Sequence, residues 1–236
     1  MVHNVPMRLV LASASPARRA TLIAAGITPI VQVSTVDEDA VLAALPGGRA
    51  FSGGTTTPTD EVAALAAAKC ADVCDALCTP NSDSFDADPG ALLVVGCDSM
   101  LEISGQVVGK PIDAADAHER WRMMSGSTGT LHTGHFLVRT ADGAIAEGVS
   151  SATIRFGSPS PAEIEAYIAT GEPLWCAGAF TIDGLGGAFI EGIDGDPHGV
   201  VGISLPLLRR LLADLDVVWT DLWAPPPMTR PADDAH

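Results

Sequence analysis

A turn rich in hydroxyl and guanidinium groups is the first feature of this sequence that suits chemistry. In the stretch LVLASASPARR an apolar run is followed by Ser13 and Ser15, and two arginines, Arg18 and Arg19, follow a proline. Serine hydroxyls, the free N–H groups of a helix start and a planar guanidinium all bind phosphate oxygens. The stretch is therefore either a phosphate-binding turn or an ordinary capped helix with surface arginines.

The two lysines of the chain are the second feature, because the other eleven cationic side chains are arginines. Lys69 falls on the same face of a predicted helix as Val62 and Leu65, so its ammonium must either reach back to solvent or meet a buried anion. Lys110 lies in a Gly-Lys-Pro turn. We interpret both lysines as candidates for neutralising a bound polyanion.

Carboxylates form the third feature. Asp98 ends the apolar run ALLVVGC, where it is either a turn residue before a hairpin or a functional group. We favour function, because a buried carboxylate is costly unless it is paired, and because ligands of α/β sheets gather beyond the carboxyl ends of strands. The triplet Asp37, Glu38 and Asp39 follows another predicted strand. Its carboxylates suit a hard cation such as Mg²⁺ or Mn²⁺, although solvated acidic turns share this composition.

Cysteine and histidine give weaker signals. Cys70, Cys74 and Cys78 recur every four residues on an Ala-rich helix, which favours small packing side chains over a metal site. His132 and His135 are three residues apart on a predicted strand, so their side chains point to opposite faces of the sheet and are not expected to share a metal. We expect no disulfide framework.

The pattern of strands and helices predicts a mixed α/β fold. The predicted strands lie at 8–12, 29–36, 91–97, 130–139, 149–156, 177–182, 187–191 and 215–220. A hairpin turn is expected at Ser104-Gly105. The predicted helices lie between Pro16 and Gly26, from residue 59 or 60 to about 78, and at 114–124, 161–170 and 206–213.

The formal net charge of −16 argues against nucleic acid polymers and anionic membranes as partners. The sequence has no apolar run of membrane-spanning length, and its first residues lack the pattern of a signal peptide. We therefore expect a soluble, cytoplasmic protein. The sequence leaves a homodimer open.

Several motifs in order resemble the Maf family of nucleoside triphosphate pyrophosphatases, also called septum formation inhibitors: LASASPARR, VDED, AAAK, VVGCDS, GKP, SGSTGTLHTG, IEAYIATGEP, CAGAFTIDG, IDGDP and VVGISLPLLRRLL. The resemblance implies an elongated, two-lobed α/β fold with a central cleft, similar to inosine triphosphate pyrophosphatase. It implies one domain over 1–223, with insert loops at about 46–58 and 79–90 and a disordered tail at 224–236. It also implies a divalent cation and hydrolysis of a nucleoside triphosphate to monophosphate and pyrophosphate, serving either removal of non-canonical nucleotides or division arrest.

The resemblance also assigns site residues. Ser13, Ser15 and Arg18 match the family's phosphate-contacting turn. The charged matches are the acidic pair Asp37 and Glu38, the two site lysines Lys69 and Lys110, and the proton acceptor Asp98. We expect the metal to be held by Asp37, Glu38 and Asp98.

Base preference stays open at three substrate-binding positions. Family members that favour dTTP and UTP carry arginine, threonine and glutamine there, and those that favour 7-methyl-GTP carry tryptophan, glutamine and glutamate. This chain has Ala17, Ser99 and Asp183, which match neither pattern.

Two other functions remain open from the residues. A nucleotidyltransferase also binds a triphosphate at a strand–turn–helix start, although that class favours a glycine-rich turn where this chain has serines and alanines. A non-catalytic nucleotide-sensing regulator of division would bind the triphosphate without releasing pyrophosphate.

Overall fold

The computed structural model describes residues 7–78 and 92–224. They contain one mixed seven-stranded sheet with the order β2-β1-β3-β5-β6-β7, in which the short β4 also pairs with β3. Only the β1–β2 and β1–β3 pairs are parallel. The strands are β1 (Arg8–Leu11), β2 (Ile30–Val31), β3 (Leu92–Ile103), β4 (Gln106–Val108), β5 (Thr128–Arg139), β6 (Ala144–Phe156) and β7 (Ile190–Asp194).

Helices cover both faces of this sheet. They are α1 (Pro16–Ala24), α2 (Glu38–Ala43), α3 (Pro58–Cys78), α4 (Ala114–Met124), α5 (Pro161–Ala169), α6 (Pro197–Val201) and α7 (Leu205–Asp214). Short 3₁₀ turns lie at Glu172–Trp175, Ala177–Ala179, Leu185–Phe189 and Trp219–Leu222.

The core explains which helix covers which face, because alternate residues of β3 point to opposite sides. Leu93 and Val95 pack with α1 and α7, and Leu101 and Ile103 further along the strand pack with α4 and α5. The even-numbered residues of β3 face the other way, toward α3 and α2. The long strands β3, β5 and β6 thus run through several apolar clusters.

The mixed α/β class is confirmed, and most predicted elements lie within a few residues of the observed ones. The Ser104-Gly105 hairpin is confirmed, with both residues at positive φ. The helix predicted at residue 59 or 60 begins earlier, at Pro58, because Thr57 and Asp60 cap it reciprocally.

Four predictions were wrong in position or type. The strand predicted at 29–36 ends at Val31, because the carboxylate of Asp72 accepts the Thr35 N–H and the Ser34 hydroxyl that follow it. The strand predicted at 177–182 begins instead with a 3₁₀ turn at Ala177–Ala179, and most of the one predicted at 187–191 lies in the 3₁₀ turn Leu185–Phe189. The Glu172 carboxylate accepts the Leu185 and Gly186 N–H groups at the start of that second turn. Residues 215–220 form no strand, and a 3₁₀ turn begins there at Trp219.

The predicted insert loop at 79–90 lies outside the described residues, as does the predicted tail beyond residue 224. Residues 46–57 form a loop that closes on itself: the Thr55 N–H donates to the Gly47 carbonyl at 3.1 Å. No described helix has both the length and the apolarity to cross a membrane.

Candidate functional site

A break in the strand pairing of β3 defines the candidate site. Pairing with β1 ends at Val95, and pairing with β4 begins at Leu101. Between these two positions β3 has a strand partner only on its β5 side. The carboxyl end of β1, which leads into α1, opens onto this gap, and such ends are where α/β sheets bind ligands. Asp98 and Ser99 lie in the gap, on opposite faces of the strand.

Asp98 is therefore not at the end of a strand, as the apolar run suggested, but in the middle of one with 12 residues. The apolar run stops at Cys97, whereas the hydrogen-bonded strand continues to Ile103. Pairing of Asp98 with Gly134 of β5 fixes its backbone. The carboxylate is thus carried by a rigid strand, at a position where β3 has no second strand partner.

An ion-pair cluster occupies the α3 face of the gap. Lys69 Nζ lies 2.5 Å from Asp98 Oδ1 and 2.7 Å from Glu38 Oε1. The side chains of Lys69 and Asp98 are 12% and 11% exposed, whereas that of Glu38 is 55% exposed. Lys69 thus meets a buried anion rather than snorkelling. Burial raises the pKa of Asp98, and the positive charges of Lys69 and Arg18 oppose that shift.

Two glycines bring α3 close enough for this contact. A Cβ at Gly96 would lie 2.1 Å from the Ala66 carbonyl oxygen, and one at Gly134 would lie 2.3 Å from that of Val62. Any side chain at either position would push the helix off the sheet. The short distance between Lys69 and Asp98 therefore depends on the absence of a side chain at Gly96 and Gly134.

The Arg18 guanidinium and the neutral acceptors around it occupy the opposite face. Its guanidinium donates to Ser13 Oγ at 3.0 Å, to Ser99 Oγ at 3.1 Å and to the Gly202 carbonyl at 2.7 Å. Because the Thr133 hydroxyl donates to the Gly199 carbonyl, the Ser99 hydroxyl must donate to Thr133, 2.8 Å away. These contacts use three of the five N–H groups of the guanidinium.

The helix start that follows β1 is built as the sequence predicts. Ser15 is the N-cap of α1 and accepts the Arg18 N–H at 3.3 Å, and Pro16 occupies the first helical position. The Ser13 hydroxyl oxygen accepts from the Ser15 N–H at 3.2 Å. Ala17 lies in this first turn, half-buried. The turn therefore presents a helix N-terminus beside an arginine and two hydroxyls.

Lys110 approaches the gap from the other end. It follows β4, whose last residue, Val108, pairs with Leu101 at the edge of the gap. Burial and the negative charges of Glu172 and Asp183 raise the pKa of Cys176 to about 11, and the positive charge of Lys110 opposes this shift.

The predicted site residues therefore fall into three groups along one strand edge. Lys69 contacts both Asp98 and Glu38, and Arg18 contacts both Ser13 and Ser99. The charges of Lys110 and Asp183 both act on Cys176. Within residues 7–78 and 92–224, no hydrogen bond or ion pair joins Lys110 to Lys69 or Asp98.

Comparison with known proteins identifies the family of this chain. The model of the family described as Maf-like protein matches residues 8–215. The chain belongs to the Maf-like protein family.

Relatives of this Maf-like protein are similar over nearly their full length. A protein of Salinispora tropica is 51% identical over 98% of this chain and 94% of its own. One of Saccharopolyspora erythraea is 50% identical over 93% and 99%, and one of Mycobacterium sp. strain JLS is 48% identical over 92% and 98%. Each of the three is named nucleoside triphosphate pyrophosphatase.

The carboxylates of this Maf-like protein fit a divalent cation in part. Glu38 and Asp98 converge on one ammonium, and two convergent carboxylates are a donor set that Mg²⁺ uses together with water and phosphate oxygens. The Asp37 carboxylate instead caps α2, accepting the Ala40 N–H at 3.1 Å. Among the described residues, no three His, Cys, Asp or Glu side chains form a ready metal site. The role of Asp37 as a ligand stays a prediction.

Sequence reasoning missed the residues that complete the network on the Arg18 face. Thr133 and the carbonyls of Gly199 and Gly202 fix Arg18 and Ser99. The available signal was the alternation of side chains along β5: Thr133 follows His132 and therefore points to the opposite face of the sheet. Backbone carbonyls leave no such signal in a sequence.

Proposed function

We propose that this protein hydrolyses nucleoside triphosphates to the monophosphate and pyrophosphate. The observation that carries the proposal is the gap in β3, which brings a buried Lys69–Asp98 pair to one face of a strand and the Arg18–Ser13–Ser99 network to the other. The names of the relatives support the same activity.

Binding of the triphosphate falls to the cationic and hydroxyl groups around the gap. A triphosphate carries about four negative charges, so a chain with a net charge of −16 must neutralise it locally. The free N–H groups of Arg18, the α1 N-terminus and Ser15 suit phosphate oxygens, and Lys110 approaches from the far end of the gap. Positioning and charge stabilisation of this kind are most of what phosphoanhydride cleavage requires.

Asp98 is the proposed proton acceptor. Its raised pKa makes it a better base than a solvated carboxylate, and the Lys69 ammonium holds its orientation. In the proposed reaction Asp98 takes a proton from a water molecule that attacks the α-phosphorus, the bond to the bridging oxygen breaks, and pyrophosphate leaves.

Glu38 and Asp98 are the groups that would hold a divalent cation. When bound there, Mg²⁺ or Mn²⁺ would neutralise phosphate oxygens and increase the acidity of water. Lys69 contacts both carboxylates and supplies a further positive charge beside them.

Replacement of Asp98 by asparagine tests the proposal. Asp98→Asn keeps the shape of the side chain but removes the proton acceptor, so pyrophosphate release should fall by roughly 10²–10⁴-fold. The measurement is pyrophosphate release from normal and modified nucleoside triphosphates with and without Mg²⁺ or Mn²⁺, with circular dichroism as a check of folding. Asp142→Asn, which breaks an exposed ion pair with Arg139, is the matched control. Wild-type turnover in Asp98→Asn would remove this residue from the mechanism.

The position of attack and the rival functions have their own readouts. In ¹⁸O-labelled water, attack at the α-phosphorus places the label in the monophosphate, whereas label in pyrophosphate would contradict it. Pyrophosphate release without any acceptor molecule speaks against a nucleotidyltransferase. Triphosphate binding without release, even with a divalent cation, would replace hydrolysis by nucleotide sensing.

A further inference from the structure

A second ion pair lies on α3, two turns before Lys69. The carboxylate of Glu61 is 1% exposed, and its Oε1 accepts from Arg49 Nε at 2.8 Å and from the Ala50 N–H at 2.9 Å. The other oxygen, Oε2, is buried without a hydrogen-bond partner. A buried carboxylate with one unpartnered oxygen is costly unless its charge is compensated, so Arg49 is its main compensation.

Arg49 and Ala50 belong to the self-closed loop at 46–57. A Cβ at Gly54 would lie 1.7 Å from the Gly47 carbonyl oxygen, so the two ends of the loop pack backbone to backbone. Phe51 adopts φ +58°, a strained conformation for a bulky residue. A loop that keeps such a conformation must be held from outside, and Glu61 provides that contact.

The loop follows α2 directly, and α2 is too short to hold its own position. It has six residues, and isolated helices of this length are unstable in water. Leu42 packs on Val62, Leu65 and Met100. The polar contacts lie at the two ends: Glu38 meets Lys69, and the loop beyond the helix meets Glu61. The two α3 positions are about 12 Å apart along the helix axis.

We propose that the Arg49–Glu61 pair is a positioning device that sets Glu38 over the Lys69–Asp98 pair. The pair fixes the loop to α3, the loop fixes the end of α2, and α2 carries Glu38 at its first turn. Arg49 also lies 4.0 Å from Asp39, the neighbour of Glu38 on α2. The kinetic consequence rests on the proposed function, whereas the structural consequence does not.

Arg49→Met tests this device, because it removes the charge and keeps an apolar side chain. Amide hydrogen exchange of residues 38–43 should become at least about tenfold faster, while exchange in α7 stays unchanged. The divalent cation concentration that gives half-maximal pyrophosphate release should rise about three- to tenfold, with kcat at saturating cation largely kept. Arg139→Met, which breaks the exposed Arg139–Asp142 pair, is the matched control and should change neither quantity.

Two further variants keep the test decisive. If Arg49→Met does not fold, Glu61→Gln removes the same charge pair without a buried anion and should have the same effects. The double variant Glu38→Gln/Arg49→Met should need the same divalent cation concentration for half-maximal activity as Glu38→Gln alone, because both changes act through the Glu38 carboxylate. Unchanged exchange in residues 38–43, or full additivity in the double variant, overturns the proposal. A wild-type protein that releases no pyrophosphate contradicts the proposed function instead, and the exchange experiment then still decides the positioning role.

Discussion

Arg18 does more at the residue scale than its place beside Arg19 suggests. The two arginines are adjacent in sequence, but Arg18 ties α1 to β3 and to the end of α6, whereas Arg19 is exposed. A side chain that holds three segments together and is proposed to bind phosphate should affect binding and stability at once. Its neighbour should affect neither.

Arg18→Met should therefore lower the free energy of unfolding by about 1–3 kcal/mol, because it leaves partly buried acceptors without their donor. It should also raise the KM for the triphosphate. Urea unfolding and steady-state kinetics measure the two effects. Arg19→Met, one position away on the same helix, is the control; equal losses in both variants would show that only the local positive charge matters.

The chemical types of the site residues could be predicted from the sequence, and their surroundings could not. Lys69 was recognisable because an ammonium on an apolar helix face requires a partner, and its partners are indeed carboxylates. Asp98 was recognisable as a buried acid but was placed at a strand end, since the apolar run stops at Cys97 while the strand continues. Hydrogen-bonded pairing of a polar strand segment depends on β5, which lies far away in the sequence.

At the scale of the elements, a single polar contact can fix where a helix begins. His135 is 1% exposed, and its Nε2 accepts the N–H of Ser204, the N-cap of α7. Its other ring nitrogen lies 3.1 Å from the Thr133 carbonyl, which fits an N–H donated from Nδ1. Burial lowers the pKa of His135 to about 4. The neutral ring is thus part of the structure that starts α7.

Stability should therefore fall as the pH falls from about 6.5 to about 4. In that window the unfolded chain binds a proton at His135 and the folded chain does not, so acidification favours unfolding by up to about 3 kcal/mol. His135→Gln keeps an acceptor for Ser204 but does not titrate, and it should flatten this part of the profile. Urea unfolding at several pH values measures it. An equally steep loss of stability in His135→Gln would assign it to other groups.

The short helix α2 shows what propensity could not reveal. Asp37 and Glu38 read as an acidic turn after a strand, but Asp37 caps a helix and Glu38 is its first residue. A six-residue helix has too weak a periodic signal to be predicted. It exists because Leu42 packs on α3 and both of its ends are held there, which are tertiary contacts.

Charge at the scale of the whole molecule opposes the encounter with a triphosphate. The chain carries 29 acidic against 13 basic residues, so an anion approaches against long-range repulsion and is attracted only near the gap. Salt screens the long-range part more strongly than close contacts.

We therefore expect kcat/KM to rise by roughly two- to fivefold as monovalent salt increases from about 10 to 100 mM at fixed free divalent cation. Glu147→Gln combined with Asp214→Asn removes two exposed charges and should raise kcat/KM at low salt while making the salt dependence shallower. Stopped-flow or initial-rate measurements decide this. A steady decrease of kcat/KM with salt in both proteins would indicate net attraction instead.

Asp98 and Ser99 are consecutive residues of one strand, and this limits which insertions and deletions β3 can accept. Odd-numbered and even-numbered residues of β3 point to opposite faces of the sheet. Deletion of a single residue between Val94 and Asp98 would therefore turn Asp98 toward Arg18 and Ser99 toward Lys69. Both chemistries would be inverted although Asp98, Ser99, Lys69 and Arg18 would all still be present. A point substitution changes one side chain, whereas a single-codon insertion or deletion changes the face of every residue that follows it in the strand.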